Sequence, residues 1–158
     1  MSDMHTPISR RRFCAGACQV ASGATVATLF TACGGGSSPT SPSGMASRLG
    51  VRTGQFTGTG VQVTVGGSAL ADVGGAALGE STAGVFLVAR TGESAFSAID
   101  AVCTHEGCTI TGADGATYVC PCHGSRYNRS GQVLAGPARA SLRQFATTFT
   151  GGVVTIVL

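Results

Sequence analysis

The chain has 158 residues, of which 43% are hydrophobic and only 11% charged, with 25 glycines, seven cysteines and three histidines. That length has room for one ordinary domain. Between Cys33 and Leu158 seven arginines face six carboxylates and no lysine occurs, a net of +1, so the electrostatic footprint of a nucleic-acid binder is missing.

The segment SRRRFCAGACQVASGATVATLFTACGGG, Ser9 to Gly36, is ordered like an export signal: a basic start, a weakly apolar middle from Cys14 to Phe30 and a small-residue finish. Ser9, Arg10, Arg11 and Phe13 make its start resemble a twin-arginine signal. The apolar part includes Gln19, Ser22, Thr25 and Thr28 and falls short of the roughly twenty mainly apolar residues of a membrane span. FTAC, Phe30 to Cys33, resembles a lipobox, which implies a lipid on Cys33. The Gly/Ser/Pro stretch that follows cannot bury a core and reads as a tether. The expected organisation is a signal over 1–32, a lipidated cysteine and flexible linker over 33–50, and a domain over 51–158. Cys33 beside an ordinary cleavage site, with a soluble product, and an uncleaved signal acting as an anchor are the alternatives. Each places the domain outside the cytoplasmic membrane, on the periplasmic side of the cell envelope.

From Val51 onward short apolar runs alternate with turn signals. VQVTV (61–65), VFLVA (85–89), AFSAI (95–99), FATTF (145–149) and VVTIV (153–157) are rich in β-branched and aromatic residues and read as strands. ASLRQFA (140–146) reads as a short turn before the last hairpin. No window holds a helical apolar period beyond two turns, so the expected fold is all-β, an antiparallel sandwich or small barrel. The remaining cysteines and histidines fall between strands, in CTHEGC (103–108) and CPCHGSRY (120–127), where two loops can converge at one tip.

Cys103 with His105 and Cys120 with His123 form two thiolate–imidazole pairs, enough for a four-coordinate metal site such as zinc. Cys108 and Cys122, one per loop, exceed what a zinc site needs. In an oxidising compartment such a pair points to a disulfide.

The two stretches resemble the cluster-binding motifs of the Rieske iron–sulfur proteins. The resemblance implies a [2Fe-2S] cluster with Cys103 and Cys120 on one iron and His105 and His123 on the other. It also implies a loop-to-loop disulfide between Cys108 and Cys122, and a Rieske-like β fold with both loops at one tip. Fourteen residues separate His105 from Cys120, fewer than in many members. Ser125 and Tyr127 stand where high-potential members carry hydroxyls that donate to cluster or ligand sulfurs, which stabilises the added electron. AGPA, with Gly136 and Pro137, resembles the loop that covers the cluster. The histidines at the tip imply a docking point for a redox partner and a potential that falls as pH rises.

The expected function is therefore one-electron relay in the cell envelope, with a cytochrome or an oxidoreductase subunit as partner and the membrane reached through the lipid on Cys33. Two alternatives share the motifs: the Rieske subunit of a quinol–cytochrome c oxidoreductase, with quinol as donor, and the small subunit of a periplasmic oxidoreductase similar to arsenite oxidase. Glu106, between His105 and Gly107, counts against a quinol pocket, where a carboxylate is costly to bury. An oxygenase would need two more histidines for a mononuclear iron, and only His5 is left.

Overall fold

The computed structural model describes residues 46–158; the expected signal, Cys33 and the linker as far as Met45 lie outside the described residues. In chain order the strands are β1 (Ser47–Arg48), β2 (Gly50–Thr53), β3 (Gln55–Phe56), β4 (Gly60–Thr64), β5 (Ala76–Ser81), β6 (Gly84–Arg90), β7 (Phe96–Asp100), β8 (Gly112–Asp114), β9 (Thr117–Val119), β10 (Arg126–Tyr127), β11 (Val133–Ala135), β12 (Gln144–Phe145), β13 (Thr147–Thr150) and β14 (Val153–Val157). A 3-10 turn spans Ala69–Ala71. Among the described residues three sheets result, with strand orders β1-β8-β9-β10-β11, β12-β7-β6-β5-β2 and β13-β14-β4-β3.

The second of these sheets lies between two cores. Successive side chains of a strand point to opposite faces, so a strand covered on both faces carries a continuous apolar run. β6 is such a strand. Leu87 and Ala89 join one core with Leu78, Ile99, Ile110, Tyr118 and Tyr127, while Phe86 and Val88 join another with Val61, Val63, Val154 and Ile156. β4, by contrast, alternates: Val61 and Val63 are buried and Gln62 and Thr64 exposed, the pattern of a strand with one wet face.

The fold is all-β as expected, and four details differ. The pairing is not wholly antiparallel, because β2 runs parallel to β5. Residues 54–75 carry the chain through β3 and β4 in another sheet before it returns, a crossover long enough for parallel pairing. The sheets do not close into a barrel. FATTF is not one strand: Gln144 and Phe145 pair with Ile99 and Ala98 of β7, and after Ala146 the chain changes sheet to pair with β14. β12 also lies inside the stretch read as a turn.

Among the described residues pairing begins at Ser47, ahead of the expected Val51 boundary. Ser47 and Arg48 face Ala113 and Gly112, and the Leu49 amide donates to the Thr111 carbonyl at 2.8 Å. Leu49 packs partly buried against the first core, which holds this edge in place. The central position of β6 gives a direct test. Replacing fully buried Leu87 by Ala removes packing that its neighbours cannot refill, so Leu87→Ala lowers stability by about 2–5 kcal/mol, read as a fall in the denaturant midpoint at unchanged slope.

Candidate metal centre

Two loops leave the first core at one end, residues 101–111 between β7 and β8 and residues 120–125 between β9 and β10. They share one backbone design. In the first, the Cys103 amide donates to the Cys108 carbonyl and the Gly107 amide to the Cys103 carbonyl, both at 2.9 Å. In the second, the Cys120 amide donates to the Ser125 carbonyl at 2.9 Å and the Gly124 amide to the Cys120 carbonyl at 3.1 Å. Both turns need a left-handed residue, and Gly107 (φ 77°) and Gly124 (φ 71°) supply it without a Cβ penalty. The shared C-x-x-x-G spacing, Cys103 to Gly107 and Cys120 to Gly124, is the trace of this repeat in the sequence.

The loops are joined by a disulfide between Cys108 and Cys122, with Cα atoms 6.5 Å apart. Cys103 and Cys120 remain free thiols, each 2% exposed, and interact with each other. The imidazoles of His105 and His123 form a second pair nearer the surface, with ring centroids 4.9 Å apart and an interplanar angle of 89°. Their side chains are 28% and 47% exposed. Glu106 stands beside both, its carboxylate oxygens 4.0 Å from His105 Nε2 and 3.6 Å from His123 Nδ1.

A third segment, following β11, packs against the loops. Ser125 is fully buried and its Oγ accepts from the Ala138 amide at 3.2 Å. A Cβ on Gly136, which sits at φ 99°, would lie 2.5 Å from Ser125 Cα, so this segment approaches the second loop backbone to backbone. Thr104 Oγ1 donates to the Ala140 carbonyl at 2.6 Å and ties the first loop to the same segment. Tyr127, fully buried, places its Oη 3.2 Å from Cys103 Sγ and 3.1 Å from Thr104 Oγ1. Pro137 is exposed on the outside of this segment. Thr104 carried no signal in the sequence, because its two contacts are set by loop packing.

These contacts divide the thiols electrostatically. Burial pushes the Cys120 thiol up, and neighbouring Cys103 adds to the rise. Burial acts the same way on Cys103, but bonds from Tyr127, the His105 amide, Cys120 and Ser125 outweigh it and leave that thiol lowered. Burial, followed by the contact with Cys103, raises the Tyr127 phenol, so its proton stays in place as a donor.

Two buried thiols beside two imidazoles are a mixed sulfur and nitrogen donor set of the kind that zinc or a [2Fe-2S] centre takes. Among the described residues the buried Nδ1 of His105 has no hydrogen-bond partner, as a donor atom reserved for a metal would have none. Residues 53–146 match the family described as Rieske [2Fe-2S] domain. The chain belongs to the Rieske [2Fe-2S] family. Its cofactor is a Rieske-type [2Fe-2S] cluster, and the donors gathered here fit that group.

Among curated relatives of this Rieske domain, the cytochrome b6-f complex iron-sulfur subunit of Chlorobaculum thiosulfatiphilum is 38% identical over 63 residues, 39% of this chain and 35% of that protein. The subunit of the same name from Prochlorococcus marinus (strain MIT 9211) is 53% identical over 45 residues, 28% of this chain and 25% of that one. The chain thus spans about a third or less of the length of these relatives. Among solved structures, the ferredoxin of carbazole 1,9a-dioxygenase from Nocardioides aromaticivorans IC177 aligns with a TM-score of 0.50 at 22% identity, covering 63% of this chain and 97% of that one. That similarity supports the Rieske fold.

The close approach of Gly136 is directly testable. Gly136→Ala combines a left-handed backbone with a clash against Ser125, so it destabilises the domain by about 1–3 kcal/mol or more in chemical denaturation.

Proposed function

We propose that this Rieske domain is a one-electron carrier of the cell envelope, with its cluster held by Cys103 and Cys120 on one iron and His105 and His123 on the other. The observation that carries this reading is the segregation of donors, two thiols buried together and two imidazoles paired near the surface. When bound, the cluster supplies a one-electron redox couple. The protein's part is to exclude water from the thiolate side, to fix the ligands and to set the potential.

Ser125 and Tyr127 set that potential by donating to sulfur, which becomes more negative in the reduced state; the expected result is a high-potential centre. The Cys108–Cys122 bond clamps the ligand loops, and Gly136 with Pro137 covers their third side. The exposed imidazoles are the docking point for a redox partner. Glu106 makes that point anionic, which suits a cytochrome-like or oxidoreductase partner with a cationic rim better than an apolar quinol pocket.

A second reading, a Rieske subunit oxidising quinol within a larger complex, draws support from relatives that are cytochrome b6-f complex subunits. A third, the small subunit of a periplasmic oxidoreductase, requires a catalytic partner subunit. Export by the twin-arginine signal over 1–32, lipidation at Cys33 and a short tether lead to the domain, whose pairing among the described residues begins at Ser47. Twin-arginine export suits this cargo, since that route carries folded proteins and permits the cluster to be inserted first.

Iron and sulfide analysis with electron paramagnetic resonance of the dithionite-reduced protein tests the central claim. Two irons per chain and a Rieske-type signal are expected; stoichiometric zinc would overturn it. In Tyr127→Phe the loss of a hydrogen bond that is about 1–2 kcal/mol stronger in the reduced state moves the potential down by roughly 40–90 mV in a mediated titration. For the anchor, Cys33→Ala abolishes incorporation of labelled fatty acid and releases the domain from the membrane fraction, whereas the unaltered chain retains both.

A further inference from the structure

With Cys103 as a thiolate ligand, the Tyr127 and Thr104 hydroxyls hold one proton fewer than their three contacts require. Tyr127 Oη is 3.2 Å from Cys103 Sγ and 3.1 Å from Thr104 Oγ1. Thr104 has a single hydroxyl proton, and at 2.6 Å from the Ala140 carbonyl, which can only accept, that proton is committed. The contact between Thr104 and Tyr127 therefore needs the tyrosine's proton. So does the contact between Tyr127 and Cys103 once the cysteine is a thiolate ligand. A phenol has one proton, and Tyr127 is fully buried, so solvent reaches it neither as a further donor nor as an acceptor.

We propose that Thr104 is a positioning residue that competes with the Cys103 sulfur for the Tyr127 proton, and thereby holds the reduction potential below the value that Tyr127 alone would set. The proposal rests on Cys103 being a cluster ligand, as argued above. In the oxidised state the threonine oxygen takes the larger share of the O–H bond. Added negative charge on the sulfur draws the bond toward Cys103, so reduction must give up the Thr104 contact. No bond to the proton breaks; the phenol O–H turns about its C–O axis.

The test compares the reduction potentials of four holo-proteins: unaltered, Thr104→Val, Tyr127→Phe and the double variant. Thr104→Val keeps the side-chain volume and removes the competing oxygen. Its potential is expected to rise by the equivalent of an about three- to tenfold change in the redox equilibrium constant, about 30–60 mV for one electron. Tyr127→Phe shifts the opposite way, and in that background Thr104→Val has no effect, because the contested proton is gone. Thr104→Ser, which keeps the oxygen, retains the original potential.

A fall or no change in Thr104→Val with the cluster intact overturns the proposal. So does an equal shift with and without Tyr127, since loss of the tie to Ala140 acting on its own would produce that. If Thr104→Val does not retain its cluster, Thr104→Ala is read against the same two outcomes. Failure of the underlying ligand assignment is seen separately, as zinc or an absent Rieske signal in the unaltered protein.

Discussion

The Cys108–Cys122 bond joins loops that belong to different hairpins, and the rest of the tip depends on that juxtaposition. Closing a segment of this length removes about 3 kcal/mol of chain entropy from the unfolded state in the loop-closure account. With the loops face to face, the Cys103 and Cys120 thiols are sealed away from water and need polar partners inside the protein. Ser125 and Tyr127 supply them from β10 and its approach. Thr104 and Ser125 in turn bind the backbone of residues 138–140, so the third segment is held by both loops. A buried polar network of this kind is stable only when its members are nearly all satisfied. The single contested proton at Tyr127 is therefore a conspicuous feature of the tip.

The layered core gives the metal-binding tip a base packed on both faces of one sheet. β5, β6 and β7 contribute side chains to two cores at once, and the sheet they form separates the metal-binding end from the β13-β14-β4-β3 sheet. Apolar burial on both faces stabilises the backbone ladder, and the loops inherit their position from it. The tip itself needs few residues of its own core: Ile110, Tyr118, Tyr127 and Leu142 connect it to the strands below.

Much of this was legible in the sequence where side-chain pattern reports directly on environment. VQVTV alternates because β4 has one wet face, and VFLVA does not because β6 has none. The two Cys/His stretches announced a metal centre through residue type and spacing, and through their resemblance to a known family. What escaped was governed by long-range pairing. AALGES (76–81) has no clear strand pattern, because Gly79, Glu80 and Ser81 interrupt its apolar run, yet its ladder to β6 and β2 fixes it. The change of sheet at Ala146 depends on where β7 and β14 lie, which local composition does not encode. Thr104 was invisible for the same reason, since its partners are 23 and 36 residues away.

The tie between β7 and β12 has a further consequence. β7 leads directly into the loop bearing Cys103 and His105, and the segment that carries Gly136 and Ala140 leads directly into β12. These two strands pair at Ile99 with Gln144 and at Ala98 with Phe145, and the Asp100 amide donates to the Arg143 carbonyl at 2.8 Å just below the tip. Two of the three walls around the thiols thus grow from one ladder, and the disulfide fastens the third. For a centre that gains and loses a unit of negative charge, such a frame leaves few dipoles free to turn, the Tyr127 hydroxyl chief among them. Small reorganisation is what allows an electron to pass at modest driving force, and a frame with few dipoles free to turn favours it.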